Sequence, residues 1–294
     1  MTAALLTARD AVAARRRDPL FLLGIGVAAA GAAHVLALLW SPALAATLAT
    51  AAATGLGALP ILFARRISDR AQSGMLGFGA GVMLAAAAFS LFLPALDAGA
   101  ALTGSRVLAG AMVALGLAAG GAVLAAMDRF VPHEHFIKGA GERGRPSELA
   151  RIWLFVFAIA LHNLPEGLAV GVGYGQPDAG KAAALALAIG VQNVPEGLVV
   201  AAALVAVGYS RSAAVLVALA TGFVEPLGGL LGAGALAVSS ALLPVALAFA
   251  GGAMLWVVSH EIIPESHRKG HERVATGGVL GGFAVMMLLD TLVV

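Results

Sequence analysis

The chain has no cysteine among its 294 residues, and only 12% of them are charged. Without thiols there is no disulfide framework, no thiolate metal site and no cysteine nucleophile. Soluble domains carry about a quarter charged and about half apolar residues; here 60% are hydrophobic and mean hydropathy is +0.94. Long polar sequence is scarce as well, with nothing large enough for a second, soluble domain. These absences exclude an ordinary globular protein. They predict an all-α polytopic membrane protein built as one membrane domain.

A helix needs about 20 apolar residues to cross the hydrocarbon core, and nine stretches qualify: roughly 20–40, 44–64, 74–96, 106–127, 151–174, 182–207, 212–236, 242–263 and 274–293. With residues 1–19 as a cytoplasmic tail, 16 of the 18 basic residues fall inside and only Arg106 and Lys181 outside. That asymmetry obeys the positive-inside rule, and moving the count by one helix destroys it. It places the N-terminus in the cytoplasm, the C-terminus in the periplasm or outside, and the whole in a bacterial inner membrane. The net charge of +2 is then topological and calls for no nucleic acid partner. Arg15, Arg16 and Arg17 ahead of an apolar run, with Ala43, Leu44 and Ala45 after it, also resemble a secretory signal and its cleavage site. The run is longer than a typical signal core, so residues 20–43 are read as a retained span.

Against this apolar background one six-residue frame occurs twice, as His162-Asn163-Leu164-Pro165-Glu166-Gly167 and Gln192-Asn193-Val194-Pro195-Glu196-Gly197. A carboxylate in mid-membrane is costly, which makes it a functional candidate by default. On a helix His162 and Glu166 stand at i,i+4 and Asn163 and Glu166 at i,i+3, so imidazole, amide and carboxylate share one face. Gln192, Asn193 and Glu196 repeat the pattern. If the two helices pack face to face, Glu166 and Glu196 can share one cation or bridge two, and mixed nitrogen and oxygen ligands suit zinc and its first-row neighbours. Pro165 and Pro195 free the carbonyls of Leu161 and Val191, while Gly167 and Gly197 permit close helix approach. The bland alternative is two kinked helices joined by buried polar groups, for which glutamate is expensive material.

Two further spans carry an acidic residue beside proline: Glu225-Pro226, expected well inside its helix, and His260-Glu261 ahead of Pro264, near a cytoplasmic end where they form an exit site or face water. His34 and Met83, each alone on an apolar span, read from the residues as packing. Asp97 and Asp290 lie at outer span ends, where a negative mouth concentrates cations. The polar loop 128–150 holds His133, Glu134 and His135, and the loop from Glu265 to Arg273 holds His267 and His271. Both loops can collect metal weakly or simply be solvated.

The two frames, Glu225-Pro226 and His260-Glu261-Ile262-Ile263-Pro264-Glu265 together resemble the ZIP (Zrt/Irt-like) divalent-metal transporters, and among them the bacterial GufA-type members, over about residues 44–294. The resemblance implies a ZIP domain at 44–294, with eight transmembrane helices in inverted repeats, usually dimeric, and residues 20–43 as an extra N-terminal helix. It implies a transporter, with Zn2+ (or Cd2+, Fe2+, Mn2+) as cargo, no catalytic cofactor, and an elevator-like movement of family helices one, four, five and six. Carried over by position, His162, Glu166, Gln192 and Glu196 with Met83 form the primary metal site. Asn163, Asn193 and Glu225 form a second, sharing the two glutamates. Close relatives often have aspartate where this chain has Asn193, which removes a negative charge from the second position.

A different class, an intramembrane metalloprotease, is suggested by His260, Glu261 and Asp290. It needs a second imidazole four residues after His260, and that position is Pro264. The chain is therefore not read as an enzyme. A passive cation channel with carboxylate rings is the remaining alternative, and transport kinetics separate it from a carrier.

Overall fold

The computed structural model describes residue 37 and residues 41–63, 67–130 and 148–292. The chain divides into two units, residues 1–41 and 42–294. Nearly all of the first lies outside the described residues, and with it His34 and the expected span 20–43 up to residue 40, apart from residue 37; Pro42 and Ala43, expected in that span, instead open the next helix. His133, Glu134 and His135 also lie outside the described residues.

The second unit is helical, with no strand among its described residues. We number its eight helical rods in chain order: α1 Pro42–Leu62, α2 Asp69–Thr103, α3 Arg106–Phe130, α4 Glu148–Gly173, α5 Ala179–Ala206, α6 Arg211–Val238, α7 Ser240–His267 and α8 Glu272–Leu292. They coincide with the second to ninth expected spans. Seven are long and apolar enough to cross a bilayer, and α4, with 26 residues, has the length to do so. The chain is an all-α polytopic integral membrane protein. The apolar side chains that remain exposed, such as Leu115, Leu231, Leu280 and Leu288, suit a hydrocarbon solvent.

Prolines punctuate the rods where the sequence puts them. Pro94 frees the Ser90 carbonyl by denying it the usual amide. A π-helical stretch, Ala86–Phe92, precedes it, and Gln176 Nε2 donates to the freed oxygen at 3.4 Å. Pro264 likewise follows a π-helical stretch, Val258–Ile262. At Pro226 the rod breaks: α6 runs as Arg211–Gly222, then Phe223, then Val224–Val238. The span expected to be continuous is thus two half-helices.

Four pairs of rods pack most closely: α1 with α5, α4 with α6, α2 with α8 and α3 with α7. Each contact rests on glycine, because lipid offers apolar side chains no advantage in burying themselves and helices associate by close packing. A Cβ on Gly197 would strike the Thr54 backbone, on Gly167 that of Glu225, on Gly282 that of Phe78 and on Gly252 that of Leu117. Exchanging α1 with α6, α2 with α7, α3 with α8 and α4 with α5 maps every close pair onto another close pair. Successive spans alternate in direction, so each exchanged partner runs opposite to its mate. This is the packing pattern of an inverted repeat.

Candidate metal centre

Because α4 and α5 lie beside each other, the two frames meet. His162, Asn163, Glu166, Gln192, Asn193, Glu196 and Glu225 are all buried, the most exposed being Glu196 at 6%. Gln192 Nε2 donates to Glu166 Oε1 at 2.6 Å and to Asn193 Oδ1 at 3.0 Å. Asn193 Nδ2 in turn donates to Glu225 Oε1 at 2.7 Å and to the backbone oxygen of Thr50 at 3.0 Å. Glu166, Gln192, Asn193 and Glu225 are therefore joined in one hydrogen-bonded chain across α4, α5 and α6. Pro165 and Pro195 are accommodated inside unbroken helices.

The break in α6 changes the setting of Glu225. Instead of lying well inside a helix, it occupies the first turn of a half-helix, where unpaired backbone amides and the helix dipole favour negative charge. Broken helices at this depth occur where irregular backbone is buried in protein or lines a cavity. Gly167 on α4 holds Glu225 close, since a side chain there would overlap the Glu225 backbone.

The opposite flank is α2. Met83 is buried and lines a small pocket with Gln192, Glu196, Gly79, Met75 and Ile262. Met75, Gly79 and Met83 stand at i, i+4 and i+8, so one face of α2 offers two thioethers around a gap. That spacing is readable in the sequence, yet Met75 was not singled out by it.

Glu261 and His260 separate. The π-helical turn aims Glu261 inward, where its Oε2 lies 2.6 Å from His162 Nε2, whereas His260 is exposed and stacks obliquely on Trp256 with ring centroids 5.1 Å apart. An inserted residue in a helix rotates everything beyond it, which is how π-bulges re-aim side chains. Periodicity alone could not assign the two residues to different faces.

Polar atoms buried without a hydrogen-bond partner cluster here: both ends of the Asn163 amide, Glu166 Oε2, Glu196 Oε1 and Glu225 Oε2. Such atoms are rare in folded proteins because each costs on the order of 1–3 kcal/mol. Among the described residues no three imidazole or carboxylate groups alone converge to hold a metal ion, so a cation here must also draw on the amides. The donor set is one imidazole, three carboxylates, amide oxygens and a thioether, which fits a divalent transition metal and offers too much charge for a neutral solute.

The remaining sequence candidates lie at the two ends. Asp97 and Asp290 line a pocket of about 810 Å³; Asp97 faces Arg106 at 3.5 Å, and Ser90 Oγ donates to Asp290 Oδ1 at 3.0 Å. At the basic end, His267 Nε2 lies 3.1 Å from Thr276 Oγ1 and its Nδ1 2.9 Å from the Ile263 oxygen. His271 sits in the short link between α7 and α8. Lys269 Nζ donates to Asp69 Oδ1 and Gln72 Oε1, beside a pocket of about 510 Å³ lined also by Glu265 and Arg268.

Comparison with known proteins identifies the family. The profile of the family described as ZIP Zinc transporter matches residues 142–290. Zinc transporter GufA of Myxococcus xanthus is 48% identical over 247 residues, covering 84% of this chain and 97% of that protein. Zinc transporter ZIPB of Bordetella bronchiseptica is 48% identical over 241 residues, 82% of this chain and 77% of its own. The human zinc transporter ZIP11 is 34% identical over 306 aligned positions, 77% and 88% of the two chains. On these grounds the chain belongs to the ZIP zinc transporter family.

Proposed function

We propose that this protein carries a divalent transition metal, zinc foremost, across a bacterial cytoplasmic membrane into the cell. The observation that supports this reading best is the buried centre itself: Glu166, Glu196, His162 and Gln192 are all buried in mid-span on two neighbouring helices that the bond from Gln192 to Glu166 joins. The relatives named as zinc transporters support the same cargo. In this reading His162, Glu166, Gln192, Glu196 and Met83 hold the metal in transit. Asn163 and Glu225 border it on the α6 side. Asp97 and Asp290 mark the entrance, and Glu261, His260, His267, His271, His133, Glu134 and His135 lie on the way out. Cadmium, iron and manganese share the ligand chemistry and belong in any test.

The close pairs α1–α5 and α4–α6 contain the metal residues of α4, α5 and α6, while α2–α8 and α3–α7 form a separate set. This division supports an elevator-like displacement of α1, α4, α5 and α6 against the other four, and the resemblance to the family is the ground for a homodimer as the assembled form. Uptake of a panel of divalent cations into proteoliposomes of purified protein tests the function. Saturable uptake of zinc with a turnover rate far below diffusion supports a carrier. No uptake of any of them overturns it, and ohmic single-channel currents replace the carrier by a channel.

Protons and metal compete for the same lone pairs on His162, Glu166 and Glu196. Lowering the pH fills those lone pairs with protons, so metal affinity is expected to fall and binding to release protons into the buffer. Titration calorimetry in buffers of different ionisation enthalpy between about pH 5 and 8, the range in which imidazole titrates, measures both effects. An affinity flat over that range contradicts the site.

His267, which ends α7, and His271, which follows it, stand at the basic end with Lys269, and with His133 and His135 they are read as acting outside the membrane barrier. Replacing His133, His135, His267 and His271 together by alanine is expected to change uptake by only a few-fold, as rate or apparent affinity. Complete loss in a correctly inserted protein would put them on the obligatory path.

A further inference from the structure

The backbone oxygen of Thr50, which can only accept, and Glu225 Oε1 converge on a single point. Asn193 Nδ2 occupies it, 2.7 Å from one and 3.0 Å from the other. A carboxylate and a carbonyl aimed at one point from two different helices make half of a cation site. The Thr50 oxygen, an acceptor only, also settles which end of the amide faces it: it is the NH2 group.

That orientation has a second effect. With its NH2 turned toward Glu225, Asn193 presents Oδ1 to Gln192, whose Nε2 donates to it at 3.0 Å and to Glu166 Oε1 at 2.6 Å. Both amide hydrogens of Gln192 are thereby used. Its oxygen is left facing α2, where a Cβ built on Gly79 would stand 3.7 Å from Oε1, in the pocket shared with Met83 and Glu196. A cation needs an oxygen there and is repelled by an NH2 group.

We propose that the Asn193 amide is a built-in substitute for a second cation: it fills the position between Glu225 and Thr50, restricts the centre to one metal ion, and turns the oxygen of Gln192 toward that ion. This rests on the proposed metal site. Asn193 acts as a positioning residue, through Gln192, and as the residue that sets stoichiometry. An aspartate at the same place would put an oxygen against Glu225 Oε1, a contact that a bridging cation relieves. Asn193→Asp is therefore expected to create a second metal position that depends on Glu225.

The test counts ions. Purified full-length protein in lipid nanodiscs is stripped with chelator, saturated with Zn2+ and, separately, Cd2+, and the metal per chain is measured by mass spectrometry. The expected counts are one ion for the wild type, one for Glu225→Gln, two for Asn193→Asp and one for the double variant Asn193→Asp/Glu225→Gln. Asn193→Ala is expected to keep one ion with affinity reduced about tenfold, the usual scale for losing an outer partner of a ligand. Loss of packing alone would not raise a stoichiometry. Two ions in the wild type with one lost in Glu225→Gln, or a folded Asn193→Asp that still holds one, overturns the proposal. If Asn193→Asp does not insert, the wild type and Glu225→Gln decide the matter alone. A wild type that binds no ion at all fails differently, since it removes the proposed metal site and this inference with it.

Discussion

Glu166→Ala and Glu196→Ala are each expected to abolish metal uptake while the protein still inserts and remains monodisperse. Both carboxylates are buried in mid-span and lie within electrostatic reach of the other charged groups of the centre, Glu166 of Glu196 and Glu225, and Glu196 of His162. A divalent ion gives up its water on entering such a place, and the carboxylates are what replace that hydration. Removing one unit charge about 4 Å from a divalent ion forfeits roughly 8 kcal/mol of Coulomb attraction at an effective dielectric of 20, and even half of that is on the order of a thousandfold in affinity. The fold does not suffer in proportion, because alanine also removes a charge that was expensive to bury. Zinc uptake into proteoliposomes beside a size-exclusion profile measures both halves of the expectation. Wild-type rates in both variants would sink the assignment of these residues.

Gly167→Ala and Gly197→Ala should damage the packing itself. A methyl group on Gly167 would overlap the backbone of Glu225, and one on Gly197 the backbone oxygen of Thr54. Neither obstacle can rotate away, so α4 must part from α6, or α1 from α5. Overpacking costs about 1–3 kcal/mol where side chains can adjust, and an obstacle made of backbone places these two at or above the top of that range. The pushed backbone carries Glu225 in one case and lies one turn from Thr50 in the other, so uptake should fall with stability. Gly110→Ala and Gly277→Ala are the controls, since a Cβ at either position meets nothing within 4 Å. Thermal unfolding in detergent followed by uptake reads the difference. Equal melting temperatures for all four variants would refute the close-approach argument.

Much of the centre was legible because its residues are costly where they stand. Glu166, Glu196 and Glu225 are conspicuous in apolar spans, and the i,i+4 spacing of His162 and Glu166 needs only helical geometry to put them on one face. What periodicity could not supply were the departures from a regular helix. The π-helical turn that sends Glu261 to His162 and leaves His260 exposed depends on one residue too many in a turn. The break at Phe223 that sets Glu225 in a first turn was hinted at by Pro226, but proline inside Pro165 and Pro195 helices produced no break. Whether a proline bends or breaks a rod is decided by the neighbours that can take up the freed carbonyl.

The sequence by itself determined the class, the eight described rods of residues 42–292 and the buried polar residues of the two frames with Glu225, because bilayer thickness and the cost of intramembrane charge act on each segment separately. Only the tertiary structure decided which rods pair, which face of Met75 and Met83 opens on Gln192, and that Asn193 turns its NH2 to Glu225 and its oxygen to Gln192. An amide has a donor and an acceptor end of almost equal shape. Which end points where is set by partners that lie 32 and 143 residues away in the chain and meet Asn193 only when α1, α5 and α6 pack.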